Sequence, residues 1–357
     1  MKLSFVTANL GSGGAERVTS LLANQFCQKG YDVEIIFFRN RLIFYELDSR
    51  IKVVVIEEEC HSNAKWLWRK VLWFRNYVKK TRPDVVIPFR VSVYCTTILS
   101  LLGVSVPIVA SERIDPRIRD SYWTLLRKLL LPFVSHLVVQ TNYIKSYYPK
   151  FIQKKTTVIP NPVDDEVFSL PQPSQKGRGE ERLNRIISVG RLYPQKNQEM
   201  MIRAFAKVAD EFPDWKLVIY GEGPLRESLV LIVESLEMQD RVLLPGRTEH
   251  VIEELRKSKI FCMSSNYEGM SNSLIEAICV GLPIVSTKVS GTEELVRHRI
   301  NGFLVNLYDF NSMAKSLKIL MGNSELRKQM EDTNRNMAPS FGINNIVDKW
   351  ERVIKDL

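Results

Sequence analysis

Tyr267-Glu268-Gly269-Met270-Ser271-Asn272-Ser273-Leu274-Ile275-Glu276-Ala277-Ile278-Cys279-Val280-Gly281 is the stretch that decides the reading of this chain. Ahead of it, Ile260-Phe261-Cys262-Met263 reads as a short buried strand that runs into a polar loop. Behind the loop, apolar residues surround Glu276 in a helix expected to begin near Ser271. A strand, a Gly/Ser/Asn loop and a helix N-terminus make one α/β unit. They also make a backbone site for an anion, because the free N–H groups and the helix dipole point at the loop. Glu268 stands at the mouth of that site, and Glu276 lies about a turn and a half into the helix behind it. Such an arrangement suits a ligand with both phosphates and hydroxyls, such as a nucleotide sugar.

The same alternation runs outward in both directions. In the first half, short apolar runs at 3–8, 33–38, 53–56, 85–88, 108–111 and 137–140 read as strands, with helical spacing at 16–29, 65–80 and 121–134. The second half repeats the pattern, with strands expected at 185–189, 216–220, 241–244, 260–263 and 283–286. Alternating strands and helices imply mostly parallel, doubly wound sheets, whose ligands bind beyond the carboxyl ends of the strands. A breaker-rich stretch from Ser169 to Asn184 marks the join between the halves. A last helical region follows over 337–357.

Composition bounds the answer without producing it. The 357 residues suffice for two domains with separate cores, and the apolar and charged fractions are those of a soluble globular protein. Five cysteines without paired spacing suggest neither a disulfide framework nor a zinc site, and imply a reduced, cytosolic setting. The run Leu3–Val6 is too short for a signal peptide, and no apolar stretch reaches membrane-spanning length. Charge is uneven: residues 1–160 hold 24 Lys and Arg against 12 Asp and Glu, whereas 161–357 hold 26 against 28. A basic first half seeks an anionic partner, whether nucleic acid, a phosphorylated substrate or an anionic membrane.

Four blocks, in order along the chain, resemble those of the retaining glycosyltransferases of family 4 (GT4). They are Gly13-Gly14-Ala15-Glu16-Arg17, Val189-Gly190-Arg191-Leu192-Tyr193-Pro194-Gln195-Lys196-Asn197, Tyr220-Gly221-Glu222-Gly223-Pro224-Leu225, and Glu268-x7-Glu276 with Gly281-Leu282-Pro283 behind it. Asn161-Pro162-Val163-Asp164 resembles the family's interdomain passage. The resemblance implies the GT-B fold, two Rossmann-like doubly wound domains facing each other across a cleft. It implies an N-terminal acceptor-side domain over 1–165, joined by the C-terminal helix 338–357, and a nucleotide-sugar donor domain over 166–337. Closure of the cleft would exclude water from the donor.

Residue by residue, the resemblance assigns Arg191 and Lys196 to the donor diphosphate, whose oxygens need cationic donors. Standing alone, two basic residues in a turn would be ordinary solvated surface. The pair would replace a divalent metal; the chain has no Asp-x-Asp, and neither metal nor cofactor is expected. Glu276 is expected to take the ribose hydroxyls, since a carboxylate among Leu274, Ile275, Ala277 and Ile278 needs partners. Glu268 is expected beside the reacting sugar carbon, with Gly269, Met270, Ser271 and Asn272 offering backbone N–H groups. Gly221 and Arg247 are expected near the nucleoside. The Gly13-Gly14 loop opens a helix where backbone can approach a phosphate. Glu16 at the third glycine position, and Arg39 after the second strand, count against a dinucleotide cofactor.

The acceptor side is less regular. Where many members of the family carry a His, this chain has Glu112, and Glu112 and Arg113 are candidates to orient the acceptor. Lys65–Lys80 holds six cations, no acid and three of the six tryptophans. It reads equally as a core-packed helix with a solvated basic face or as an interfacial helix that brings Arg69 and Lys70 to a lipid-linked diphosphate.

The resulting expectation is a transferase that moves a hexose or N-acetylhexosamine, from a UDP-sugar by preference, to a glycan or lipid-linked oligosaccharide. Its place would be peripheral on the inner, cytoplasmic face of an anionic membrane, without nucleic acid as a partner. A nucleotide-sugar epimerase of the same fold is the nearer rival. A nucleic-acid-binding α/β protein is the remoter one, since it leaves the donor blocks unexplained.

Overall fold

A computed structural model of the protein describes residues 1–11, 13–39, 42–56, 64–117, 122–169 and 182–357. The chain divides into two compact units, Met1–Pro162 with Ile343–Leu357, and Val163–Gly342. Both crossings differ by a few residues from the expected boundaries at 165 and 338. Val163 N donates to the Phe341 carbonyl oxygen at 2.8 Å, and Val163, Ala338 and Phe341 share one core in the second unit. Of the stretch expected to mark the join, residues 170–181 lie outside the described residues.

In the first unit the strands are β1 (Lys2–Thr7), β2 (Asp32–Phe37), β3 (Lys52–Val55), β4 (Val85–Pro88), β5 (Val109–Ser111), β6 (His136–Val139) and β7 (Thr156–Val158). All pair in parallel, as β3-β2-β1-β4 and β5-β6-β7, and single bridges Val86–Ile108 and Phe89–Ser111 join the two sets. Successive side chains of a strand point to opposite faces, and here both faces are buried, as in parallel sheets. Leu3, Phe5, Ile35 and Phe37 face the helices Gly14–Gln28 and Ile343–Lys355, with Trp350 fully buried. Val6, Ile36, Phe38 and Val86 face the other layer, the helices Ala64–Thr81, Val91–Leu101 and Tyr122–Leu130. The helix expected over 121–134 stops at Leu130 and continues as a 3-10 turn, Leu131–Phe133, because Pro132 cannot supply the next backbone N–H.

The second unit has β8 (Arg185–Val189), β9 (Lys216–Tyr220), β10 (Val242–Gly246), β11 (Ile260–Met263), β12 (Ile284–Thr287) and β13 (Gly302–Val305), all parallel in the order β10-β9-β8-β11-β12-β13. Ile186, Ile260 and Cys262 pack on the helices Gln198–Ala209 and Phe310–Gly322; Ile187, Phe261 and Met263 pack on the helix Asn272–Cys279. Strand order reverses between β1 and β4 in the first unit and between β8 and β11 in the second. The crevices beyond the carboxyl ends of those strands are where such folds hold ligands. Among the described residues, no helix is long and apolar enough to cross a membrane.

Candidate functional site

The loops after β8, β9 and β11 are laced together at the carboxyl edge of the second unit. Gly190 N donates to the Tyr220 carbonyl at 2.9 Å, Leu192 N to Glu222 at 2.9 Å, and Gly221 N to Gly246 at 2.8 Å. Gly221 has φ +153°, and a Cβ there would overlap the Gly190 carbonyl oxygen, so only glycine permits this approach of two backbones. The loop after β8 is tied to the loop after β11 as well. Asn266 N donates to the Gln195 carbonyl at 2.7 Å, Gln195 Nε2 to the Tyr267 carbonyl at 2.9 Å, and Ser264 Oγ to the Asn197 carbonyl at 2.8 Å.

Across that lacing, Lys196 Nζ lies 2.5 Å from Glu268 Oε1, which also accepts from Ser265 Oγ at 2.8 Å. The pair straddles the point where the sheet order reverses. Both side chains are largely shielded, at 16% and 9% exposure, so their attraction is screened far less than on an open surface. Arg191, in the same loop as Lys196, is exposed, its guanidinium carbon 5.1 Å from the Tyr193 ring centre. Gly269, Met270 and Ser271 are buried and lead into the helix Asn272–Cys279, with Ser271 at its N-cap. Gly291, in the helix Ser290–Leu295, packs so closely on Gly269 that an added Cβ would strike the Gly269 carbonyl. Glu276 is buried in the middle of the Asn272–Cys279 helix. Arg247 is exposed just after β10.

Tyr220, at the end of β9, donates to Glu254 Oε2 at 2.6 Å, and Arg185 Nη1 does so at 2.8 Å. Burial alone would raise the Glu254 carboxyl, but the donors Lys257, Tyr220 and Arg185 hold it at about 2; burial and this carboxylate push the Tyr220 hydroxyl up to about 12. This cluster braces the end of β9 and was not visible in the sequence.

The first unit carries a matching pair at its own reversal point, also missed by sequence reasoning. Gly13 caps the helix Gly14–Gln28, and the Glu16 side chain folds back over it, where a Gly13 Cβ would collide. Arg90, directly after β4, donates to Glu16 Oε1 at 3.0 Å. Arg90 holds φ +74° and ψ 146°, a conformation costly for any residue but glycine and concentrated at functional positions. The anion at this helix N-terminus is therefore the chain's own carboxylate. Ser12 lies outside the described residues.

Two acceptor-side candidates, Glu112 and Arg113, are held by partners inside the first unit. Glu112 is fully buried; its Oε2 accepts from Tyr94 at 2.8 Å, Tyr148 at 3.2 Å and the buried Arg127 at 3.4 Å, and burial raises its carboxyl. These contacts anchor Oε2 in the core. Arg113 pairs with neither Glu112 nor Asp115. It donates to Ser111 Oγ and Asn161 Oδ1, each at 2.7 Å, and lies over the rings of Phe89 and Trp350. In the helix Ala64–Thr81, Lys70 is buried with its ammonium 3.2 Å from the centre of the Trp66 ring, and Arg75 donates to the carbonyls of Ser100 and Leu102. Arg69 remains exposed, as do Lys79 and Lys80, while the side chain of Lys65 lies outside the described residues.

Comparison with known proteins adds an independent line. The family described as Glycosyltransferase Family 4 matches residues 12–167, and the one described as Glycosyl transferases group 1 matches residues 172–337. The chain is 30% identical, over 100% of its length and 99% of the relative's, to a Campylobacter jejuni enzyme named GalNAc-alpha-(1->4)-GalNAc-alpha-(1->3)-diNAcBac-PP-undecaprenol alpha-1,4-N-acetyl-D-galactosaminyltransferase. It is 27% identical, over 95% of both chains, to a second enzyme of that organism, an N-acetylgalactosamine-N,N'-diacetylbacillosaminyl-diphospho-undecaprenol 4-alpha-N-acetylgalactosaminyltransferase. Among solved structures it resembles a glycosyltransferase from Rickettsia africae (TM-score 0.83, 18% identity, 99% and 98% of the two chains). It also resembles HepE from Anabaena in complex with UDP and glucose (TM-score 0.81, 17% identity, all of both chains).

Proposed function

The chain belongs to the glycosyltransferases of the group 1 and Family 4 kind, with their GT-B fold, and acts in bacterial glycan assembly; from this we propose a specific reaction. It moves a hexose or N-acetylhexosamine from a UDP-sugar to a hydroxyl of a lipid-linked oligosaccharide, with retention of configuration and without a metal. The reaction takes place peripherally at the inner face of the cell membrane.

The observation that carries this reading is the Lys196–Glu268 pair across the reversal point, with Arg191 in the Lys196 loop and the Asn272–Cys279 helix N-terminus following Glu268. A diphosphate placed there meets two cations and the positive end of a helix dipole, which stabilise the charge that builds on it as the sugar leaves. Glu268 stabilises the positive charge that develops at the sugar carbon. The leaving phosphate takes the acceptor proton as the new bond forms on the same face, so no separate base is required. Glu276 reads the ribose. The preference for UDP and the lipid-linked acceptor are supported by what is named for the relatives, HepE with UDP and the two Campylobacter enzymes with undecaprenol-linked substrates.

A thermal-shift series with UDP-, GDP- and ADP-sugars in the absence of metal tests the reading, on wild type, Glu276→Ala and Glu276→Gln. Selective stabilisation by one nucleotide family, abolished in both variants, is expected. No shift with any nucleotide, alongside a shift with nucleic acid, would overturn it.

A further inference from the structure

The helix Tyr122–Leu130 is apolar on two sides. Trp123, Leu126 and Leu130 turn inward and pack in the core. On the outward side Tyr122, Leu125 and Leu129 stand 65%, 61% and 60% exposed, and Phe133 in the following 3-10 turn is 61% exposed. Their spacing of three, four and four residues makes one continuous stripe. A surface helix ordinarily turns polar residues to water, and a run of large apolar side chains in that place marks an interaction surface. In the same layer of helices, beyond Val91–Leu101, Trp68 and Leu72 stand 65% and 56% exposed, one turn apart. Lys155 Nζ donates to the carbonyls of Pro132 and Val134 at 2.8 and 2.7 Å. This ties the turn that carries Phe133 to the Lys150–Gln153 helix, where Phe151 is 58% exposed.

Charge identifies the occupant. No acidic residue occurs between Asp120 and Asp164, nor between Ala64 and Pro83. The same elements carry exposed cations: Arg69, Lys79, Lys80, Lys128, Lys150 and Lys154. A second copy of the chain would bring these cation-rich segments together, which repel. An anionic bilayer offers phosphates to the cations and hydrocarbon to the stripe.

We propose that the stripe Tyr122–Leu125–Leu129–Phe133 inserts into an anionic lipid surface, with the helix Tyr122–Leu130 lying in the plane of the interface. The inference deepens the reading of a membrane-peripheral enzyme, and it moves the main apolar contact from the helix Ala64–Thr81 to the helix Tyr122–Leu130.

Sedimentation of the full chain with vesicles of phosphatidylcholine alone, and of phosphatidylcholine with phosphatidylglycerol, tests this. Wild type is expected to pellet with the anionic vesicles and not with the neutral ones, and Leu125→Glu/Leu129→Glu to reduce that binding at least about tenfold. The exposed positions predict an unchanged melting temperature for this variant; Leu125→Gln/Leu129→Gln, which adds no charge, is expected to weaken binding in the same direction. Three results would each overturn the proposal: a wild type that stays in solution with both vesicles, variants that pellet like wild type, and a wild-type dimer that the substitutions dissolve. Vesicle binding needs no nucleotide, so its failure is separable from failure of the thermal-shift series.

Discussion

Lys196 Nζ and Glu268 Oε1, 2.5 Å apart, belong to loops that follow the two strands on either side of the reversal in sheet order. The lysine stem runs past Gly190, where an added Cβ would lie 3.3 Å from Cε, and the Glu268 carbonyl is held by Ser290 Oγ at 2.5 Å. Cation and carboxylate are thus fixed from both sides before any ligand arrives, which is the preorganisation that charge stabilisation in a transfer reaction needs.

Because the two act as one unit, Lys196→Ala and Glu268→Ala are each expected to lower transfer by about a hundredfold or more. The double variant should lose little beyond the worse single one. Steady-state kinetics on all three decides it, and losses that simply multiply would show two independent roles.

Gly221→Ala drives a Cβ into the Gly190 carbonyl oxygen at a backbone angle that favours glycine. A loss of about 2 kcal/mol or more in unfolding free energy is expected, with loss of nucleotide-dependent thermal stabilisation. Denaturant titration with and without nucleotide reads both quantities. A variant as stable as wild type would mean the loops after β8 and β9 separate at little cost.

Glu112→Ala removes the carboxylate paired with Arg127 in its buried pocket, together with the acceptor of two tyrosine hydroxyls. Breaking a buried pair from one side costs about 3–5 kcal/mol. The melting temperature should fall sharply while the folded fraction keeps its acceptor KM. A raised KM at wild-type stability would show instead that Glu112 orients the acceptor.

The Glu254 cluster sets an acid limit. Its carboxyl stands at about 2 in the folded chain against an ordinary 4.5. A carboxyl lowered on folding contributes stability that is fully present above the ordinary value and is lost as pH falls through the folded one. Up to about 3 kcal/mol is therefore expected to disappear between pH 4.5 and 2. Unfolding free energies of wild type and Glu254→Gln should differ at neutral pH and converge in acid; a constant gap would contradict the assignment.

The interior strands were legible because parallel strands covered on both faces read as short apolar runs: Arg185–Val189, Lys216–Tyr220 and Ile260–Met263 lie where the hydrophobic pattern places them. Thr156–Val158 and Gly302–Val305 escaped notice. Each lies at the edge of its sheet, where one side needs no partner and a run of three or four residues with Thr or Gly carries little signal. Glu16–Arg90 escaped for a different reason. Its members are 74 residues apart, and nothing local to either predicts the other.

The sequence by itself determined where strands give way to glycine-bearing loops and helix N-termini, and so which segments can meet phosphate. Those features depend on neighbours in the chain, on hydrophobic period and on the conformational freedom of glycine. Only the tertiary structure decided which charges are spent inside the protein. Lys70 under Trp66 and Glu112 against Arg127 were candidates for ligand contact in the sequence, and Glu16 over Gly13 carried no local sign of its partner. Burial, and the partner a buried charge must then find, are set by which elements pack side by side, across separations that no local pattern spans.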